Sequence, residues 1–137
     1  MPRLQVERHV GPAKRRIVSG LLAFNARAVG KGRYVSMAIT LRNGREIVGG
    51  VTGWIWKNWC HVDLLWIEDK YRNAGHGTAL MRKAEVKARK HGAKNIFLDT
   101  FSFQAPGFYR KLGYREFGRL KNYPQGHTRY FLQKALR

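Results

Sequence analysis

One turn of the sequence combines a cation with two glycines: Arg72-Asn73-Ala74-Gly75-His76-Gly77-Thr78. A nearly continuous apolar run of strand type, residues 62–67, precedes the turn, and helical spacing follows it at Leu80 and Ala84. Because glycine lets a ligand approach the backbone and a helix begins with partial positive charge, the N–H groups of residues 73–78 can bind a pyrophosphate. The turn therefore predicts a phosphate-binding helix N-terminus, with a simple tight turn as the alternative.

Two better-known phosphate-binding patterns do not fit this turn. A dinucleotide-binding fingerprint needs a third glycine, an acidic residue about 20 positions on and a second strand–helix–strand unit. The third glycine is replaced by Ala79 or a later residue, and no second unit follows. A Walker loop needs Gly-Lys-Ser/Thr, which is absent.

Two spaced motifs together resemble the GNAT superfamily of acyl-CoA-dependent N-acyltransferases. The family's central motif, Gln/Arg-x-x-Gly-x-Gly/Ala after a strand, is matched by Arg72–Gly77. A strand at residues 95–100 and the segment Ala105–Tyr114 are similar to the family's Ala-x-x-x-Tyr-x-x-x-Gly-Phe/Tyr helix and turn. The resemblance covers roughly Gly49 to Leu136, and residues 123–132 resemble one bacterial branch of the family. It implies an N-acetyltransferase that uses acetyl-CoA as co-substrate.

The resemblance also implies how the acyl donor is held. Backbone groups of Leu65 and Ile67 pair with the pantetheine arm as a false strand, and residues 72–78 hold the pyrophosphate. Ser102 stands where the family often has an asparagine that contacts the pantetheine, and Gln104 is the candidate to replace it.

Tyr109 is the candidate general acid, because the resemblance places a tyrosine at this position to protonate the departing thiolate. The alternative is core packing. Phe108 and Tyr109 are neighbours on a short predicted helix, so one of the two must face inward.

The candidate bases lie in one predicted strand. Alternation predicts that His61, Asp63, Leu65 and Ile67 share a face, which the resemblance turns towards the donor. His61 needs only a small pKa shift to accept a proton near neutral pH, whereas Asp63 needs a raised pKa or a relaying water. A structural hydrogen-bonded pair is the alternative for both residues, and His127 is a third candidate. The histidines lack the mutual spacing of a metal site.

Charge is the second unusual feature: 27 Lys and Arg against 8 Asp and Glu give a formal net charge of +19. Such a surface attracts polyanions, so nucleic acid is a candidate partner. The alternative functions are an RNA- or ribosome-associated binding module on a GNAT scaffold and an acyltransferase acting on an amine carried by RNA or a ribosomal protein. The alternative to a nucleic-acid partner is a basic surface that is solvated and binds no specific partner.

The same charge balance limits the acceptor. With so few carboxylates in the chain, few can converge on one cleft, and the surrounding positive field repels cations. The sequence therefore predicts a small or protein-borne primary amine that is not a polycation. Trp54, Trp56 and Trp59 are candidates to line part of the acceptor cleft, with packing inside a hairpin as the alternative.

Length and composition predict one domain, residues 1–137, with enough apolar residues for a packed core. The single cysteine, Cys60, cannot form an internal disulfide and more often is a small buried hydrophobe than a nucleophile. No apolar run reaches the ~18 residues of a membrane span, and no signal-peptide core follows the start. We expect a cytoplasmic protein without a membrane partner, and a homodimer is a candidate assembly.

Periodicity predicts the order βαβββαβαββ, an α/β domain with one mixed sheet. The resemblance implies that this sheet splays between its fourth and fifth predicted strands, residues 59–67 and 94–100. Asn43-Gly44 predicts a type I′ hairpin. The predicted strands are Leu4–Arg8, 34–41, 46–56, 59–67, 94–100, 114–121 and 128–134, and the predicted helices are 12–28, 78–91 and 105–112.

Overall fold

A computed structural model describes all residues, 1–137, as two compact units, Met1–Arg33 and Tyr34–Arg137. The first unit contains helix α1, Val10–Val29. Pro12 lies in the first turn, where its missing N–H costs no hydrogen bond. Gly30, with φ +76°, ends the helix and donates its N–H to the Ala26 carbonyl. The predicted helix is confirmed.

The strand predicted at Leu4–Arg8 is wrong, because residues 1–7 have neither helix nor strand. Leu4 and Val6 are about 102% and 98% exposed. Alternating apolar residues form a strand only when a neighbouring strand takes up their backbone hydrogen bonds, and this segment has none.

The second unit is a six-stranded mixed sheet with two helices, in the spatial order β1-β2-β3-β4-β6-β5. A short 3₁₀ turn, Asp69–Tyr71, leads from the third strand towards the glycine turn. The elements are β1 Val35–Asn43, β2 Glu46–Trp56, β3 Trp59–Ile67, α2 His76–Lys90, β4 Asn95–Phe101, α3 Pro106–Lys111, β5 Arg115–Lys121 and β6 Thr128–Ala135. The predicted α/β fold class is confirmed, and the observed order of elements differs from the prediction only in lacking the first strand.

The predicted hairpin between β1 and β2 is confirmed, but its turn is shifted by one residue. Asn43 pairs with Glu46, so the loop consists of Gly44 and Arg45. Only Gly44 has a positive φ, +63°, and glycine at the first central position is the requirement of a type II′ turn. The asparagine closes the last strand pair instead of forming the turn.

The sheet splits between β3 and β4. These parallel strands pair only at Trp59, Cys60 and His61. Beyond that point β3 remains paired with β2 as far as Ile67, while β4 remains paired with β6 as far as Phe101. One edge of each strand is therefore left without a strand partner, and the splayed sheet is confirmed.

A β-bulge at Asp63 changes which residues of β3 share a face. Val62 pairs with Gly53 and Leu64 pairs with Thr52, so Asp63 has no partner across the strand. Val62 lies in the core, and after the bulge Leu65 and Ile67 also pack against the core. The predicted common face of His61, Leu65 and Ile67 is therefore wrong, because an extra residue inverts the alternation.

The core lies between the sheet and α2. Leu80, Met81, Ala84 and Ala88 of this helix pack against buried residues of β2, β3 and β4. Cys60 is fully buried there, and burial raises the pKa of its thiol to about 12. The thiol stays protonated at neutral pH, as expected of a structural cysteine.

One charged group is buried beside this core. Glu85 of α2 accepts a hydrogen bond from the Tyr114 hydroxyl at 2.8 Å and another from Lys134 Nζ at 3.0 Å. The network ties α2 to the end of α3 and to β6. No helix of the structure has the length and apolar character that crossing a membrane requires.

Candidate active site

The glycine turn between β3 and α2 leaves a row of backbone donors without protein partners. Asn73 has φ +62° and Gly75 has φ +82°, so the chain reverses sharply before α2 begins at His76. None of the N–H groups of residues 73–78 donates to another group of the protein. Such a concave set of donors at the positive end of a helix suits a phosphate group.

Arg72 holds this turn against the end of β3. Its Nε donates to the Ile67 carbonyl at 2.8 Å, and its guanidinium lies 3.1 Å from the Asp69 carboxylate. The arginine that marks the motif in the sequence is therefore engaged in fixing the loop. This arrangement also engages the carbonyl of Ile67, one of the two residues whose backbone groups were predicted to meet the donor.

The two glycines of the turn meet different surroundings. A Cβ on Gly75 would meet no atom within 4 Å, so this face of the turn is open. A Cβ on Gly77 would lie 3.1 Å from Phe108 Cζ and 3.5 Å from Ile67 Cδ1. Gly77 thus lets α3 pack closely on the start of α2. The glycine turn and the helix that carries Tyr109 are in direct contact through Phe108.

Tyr109 lies on α3 and is buried, with about 9% exposure. Its ring makes edge contacts with Phe108 and Tyr114, at centroid distances of 5.1 and 6.0 Å. Its hydroxyl makes no hydrogen bond to the protein, whereas the hydroxyl of Tyr114 is bonded to Glu85. Burial, with a smaller contribution from Asp99, raises the pKa of Tyr109 to about 12. The phenol therefore keeps its proton at neutral pH.

His61 lies at the point where β3 and β4 separate. Its ring stacks on Phe97 at 4.5 Å and meets Trp54 edge-on at 5.1 Å. Its Nδ1 is buried without a hydrogen-bond partner. Burial lowers the pKa of His61, against the opposing charges of Asp63 and Asp99. The imidazole is consequently neutral near pH 7 and able to accept a proton.

Two carboxylates flank this histidine from opposite sides of the split. Asp63, at the bulge of β3, is exposed and makes no ion pair or hydrogen bond. Asp99, on β4, is half-buried, and its Oδ2 accepts from Arg129 Nε at 2.7 Å. Its Oδ1 accepts no hydrogen bond from the protein. The charge of Asp99 raises the pKa values of both His61 and Tyr109.

Sequence reasoning missed Asp99 and Arg129. Asp99 was visible only as an acidic residue within an otherwise apolar strand, at a position that shares a face with Phe97 and Phe101. Its partner is 30 residues away on a strand that pairs with β4. The isolated carboxylate was the available signal, and the ion pair needed the strand register.

Two other predicted donor contacts, Ser102 and Gln104, are engaged in the loop after β4. Ser102 Oγ accepts from the Thr128 N–H at 3.1 Å and lies 3.4 Å from His127 Nδ1. Gln104 Oε1 accepts from the Phe101 N–H at 2.9 Å. These bonds join the loop to the start of β6. His127, the third candidate base, is exposed and belongs to this loop contact.

A row of touching aromatic rings extends from His61 across the sheet, and we call it the aromatic strip. Trp54 touches both His61 and Tyr34, and Tyr34 stacks on Trp56 at 5.5 Å with an interplanar angle of 8°. On the other side Phe97 touches His61 and Trp59. The three predicted tryptophans are only partly buried. The strip consists of Tyr34, Trp54, Trp56, Trp59, His61 and Phe97.

Residues 13–114 match the model of the acetyltransferase (GNAT) family. The chain belongs to this family. It is an enzyme of the acyltransferase class, and its co-substrate is acetyl-CoA.

Similar proteins agree with this assignment. The blasticidin-S acetyltransferase of Streptomyces morookaense is 42% identical over 92 residues, which are 66% of this chain and 68% of that protein. A crystal structure of an acetyltransferase from Bacillus cereus ATCC 14579 is 33% identical, with a TM-score of 0.87 over 97% of this chain and 98% of that one. A structure from Bacillus anthracis str. Ames, solved in complex with acetyl coenzyme A, has a TM-score of 0.64 at 20% identity, over 74% and 62% of the two chains.

The fold of this acetyltransferase places two predicted groups at opposite ends of the unpaired edge of β3, and a third on the helix that packs on the glycine turn. The glycine turn lies at the far end of β3, Tyr109 lies on the helix that packs on this turn, and His61 lies at the closed end of the split. Asp63 borders the same split. Ser102, Gln104 and His127 form a separate loop cluster at the other end of β4.

Proposed function

We propose that this enzyme transfers an acetyl group from acetyl-CoA to a primary amine by direct attack, with Tyr109 protonating the CoA thiolate. The observation that carries the proposal is the hydroxyl of Tyr109. It is protonated at neutral pH, makes no hydrogen bond to the protein, and belongs to a helix in contact with the phosphate-binding turn. Only Thr52 Oγ1 and His61 Nδ1 are buried side-chain polar atoms without a partner, so the Tyr109 hydroxyl is not sealed in the core and is accessible to a bound thiolate.

The residues present fit acetyl-CoA. The unpaired N–H groups of residues 73–78 suit its pyrophosphate, and the open space at Gly75 lets the phosphates reach the backbone. Beyond His61 the edge of β3 that faces β4 has no strand partner. An extended pantetheine arm can therefore bind there as an added strand. The donor supplies an acetyl thioester, whose carbon is the electrophile.

The proposed reaction involves one neutral amine and two protein groups. The amine nitrogen forms a bond to the acetyl carbon, and the bond between that carbon and sulfur breaks. The nitrogen loses one proton to His61, directly or through water, and the thiolate receives one proton from Tyr109. Solvent then returns the proton from His61 to Tyr109. Asp63, on the exposed bulge, is the alternative proton acceptor.

A thiol-release assay with acetyl-CoA and a panel of primary amines tests this function. The panel includes blasticidin S, because a relative with 42% identity is named for acetylating it. We expect saturable thiol release together with a product heavier by one acetyl group in mass spectrometry. Spermidine and kanamycin serve as polycationic comparisons and are expected to be poor acceptors. Normal acetyl-CoA binding without acetylation of any amine would contradict the proposal.

A role associated with RNA is the second candidate, and the outer face of α2 favours it. This face carries a basic cluster beside a surface cavity of about 540 Å³, lined by Ile39, Arg82, Lys83, Val86, Lys87, Lys90 and His91. Phosphate contacts by such cations weaken steeply with salt. RNA binding whose affinity falls with salt, in the absence of thioester turnover on any amine, is the result that would favour this role over acetyl transfer.

A further inference from the structure

The chemistry of the acceptor can be inferred from the surface next to His61. The aromatic strip starts at the imidazole and continues ring to ring to Trp54, Tyr34 and Trp56. Tyr34 at its outer end is about 48% exposed. The three tryptophans of the strip are partly buried. Partly accessible aromatic rings beside a reactive group are typical of ligand sites, which are lined by aromatic side chains with few polar groups.

The ring geometry favours a flat partner. Tyr34 and Trp56 stack on each other, so each covers one face of the other, and the half-exposed Tyr34 offers its remaining surface to a further ring. His61 and Phe97 are also stacked, with an interplanar angle of 24°. Offset stacking between such faces and a further planar ring stabilises a complex beyond the burial of its area.

Negative charge reaches the strip only at its reactive end. The carboxylates whose charges act on His61 are those of Asp63 and Asp99, and one oxygen of Asp99 is already bonded to Arg129. The other acidic groups of residues 68–116 are paired with cations elsewhere: Glu68 with Lys70, Asp69 with Arg72, Glu85 with Lys134, and Glu116 with Arg110 and Arg119. The site therefore has carboxylates for one amine and none along the rings.

We propose that the acceptor is a primary amine attached to a flat aromatic or heteroaromatic ring. The ring stacks on the strip formed by Tyr34, Trp54 and Trp56, and the amine reaches the space between His61 and the free oxygen of Asp99. A second cationic group on the ring finds no carboxylate there. This inference rests on the proposed acetyl transfer, which it narrows from amines in general to amines of one shape.

A matched pair of amines tests the inference. 2-Phenylethylamine and 2-cyclohexylethylamine carry the same charge on the same linker, but only the first has a flat ring. We expect kcat/KM to be roughly 2- to 12-fold higher for the aromatic amine, the range that aromatic pairing contributes beyond burial. Tryptamine, with a larger ring, is expected to exceed both. Equal rates for the matched pair would overturn the inference and leave acetyl transfer standing.

A substitution in the aromatic strip tests whether these rings cause the difference in rate between the two amines. Trp56→Leu removes an aromatic face but keeps an apolar side chain, so the ratio of the two rates is expected to fall to about one-to-one. Trp66→Leu is the control, because Trp66 is exposed and makes no ring contact with the strip. A ratio that survives Trp56→Leu would overturn the assignment of the strip. If no amine is acetylated, calorimetry of both amines with the CoA-bound protein decides the inference separately: equal affinities overturn it.

Discussion

The two sides of the split sheet use different parts of the chain. The side proposed to bind the donor consists of backbone: N–H groups of residues 73–78, an unpaired edge of β3, and glycines that keep side chains away. The side proposed to bind the acceptor consists of side chains from β2, β3 and β4, with Trp54, His61 and Asp99 brought together across the sheet. Backbone chemistry is the same for any sequence, so it can serve a donor common to a family. Side chains can be exchanged without loss of the fold, so they can set the acceptor.

The largest effect is expected on the donor side, from Gly75→Glu. Its side chain would place a negative charge where the pyrophosphate approaches the N–H groups, so acetyl-CoA binding should be lost. Gly75→Ala is the matched control. Alanine must adopt the same positive φ but carries no charge, and its Cβ would meet no protein atom within 4 Å. Its strain costs roughly 1–2 kcal/mol of stability. Calorimetry with acetyl-CoA compares the two, and wild-type affinity in Gly75→Glu would remove the turn from the donor site.

The next effect separates two buried tyrosines at the end of α3. In Tyr109→Phe turnover should fall by roughly 10²- to 10⁴-fold, as for a removed proton donor. Its stability should hardly change, because the lost hydroxyl bonds to no protein group.

Tyr114→Phe is the matched comparison and should show the reverse. It removes a hydrogen bond to buried Glu85, at a cost of about 1.5–3 kcal/mol in the free energy of unfolding. Turnover should remain close to that of the wild type. Thiol release and urea unfolding measure the two quantities, and unchanged turnover in Tyr109→Phe would leave its phenol a packing group only.

A smaller effect is expected in the pH dependence of the acceptor side. If His61 accepts the proton, kcat/KM falls on the acid side as the pH drops through the pKa of His61, which burial holds below 6.5. Arg129 lowers this pKa and Asp99 raises it, so Arg129→Gln should move the acid limb to higher pH and Asp99→Asn should move it to lower pH. The free energy of unfolding also falls on acidification. Because burial lowers the pKa of His61 in the folded state, the unfolded chain takes up the proton first as the pH drops below 6.5, and stability that is present above pH 6.5 is lost. An acid limb that neither variant moves would exclude His61 as the base.

The smallest effect distinguishes the two sides by their response to salt. The net charge of +19 attracts anionic acetyl-CoA, and screening shortens the reach of that attraction from about 30 Å at 0.01 M to about 8 Å at 0.15 M ionic strength. The KM for acetyl-CoA should rise over this range. The ratio of rates for 2-phenylethylamine and 2-cyclohexylethylamine should stay constant, since both carry one charge. A ratio that changed with salt would show that charge, not ring shape, selects the acceptor.

The sequence predicted the parts of this protein whose signals are local. Arg72–Thr78 was identified as a turn into a helix, and the helices, the β1–β2 hairpin and the order of the last strands followed from periodicity and turn residues. These features depend on neighbours within a few positions. The error at Leu4–Arg8 is the exception, because a strand depends on a partner that the pattern alone does not supply.

The tertiary structure alone decided the arrangement of side chains around His61. An extra residue at Asp63 changes the register of β3, turns Leu65 and Ile67 to the core, and leaves His61 on the other face. The pairing of β4 with β6 brings Arg129 to Asp99. Register between strands depends on the sum of many weak contacts, and one inserted residue moves every later side chain to the opposite face. The glycine turn could be predicted because it is one continuous segment, whereas the aromatic strip exists only once three strands are aligned.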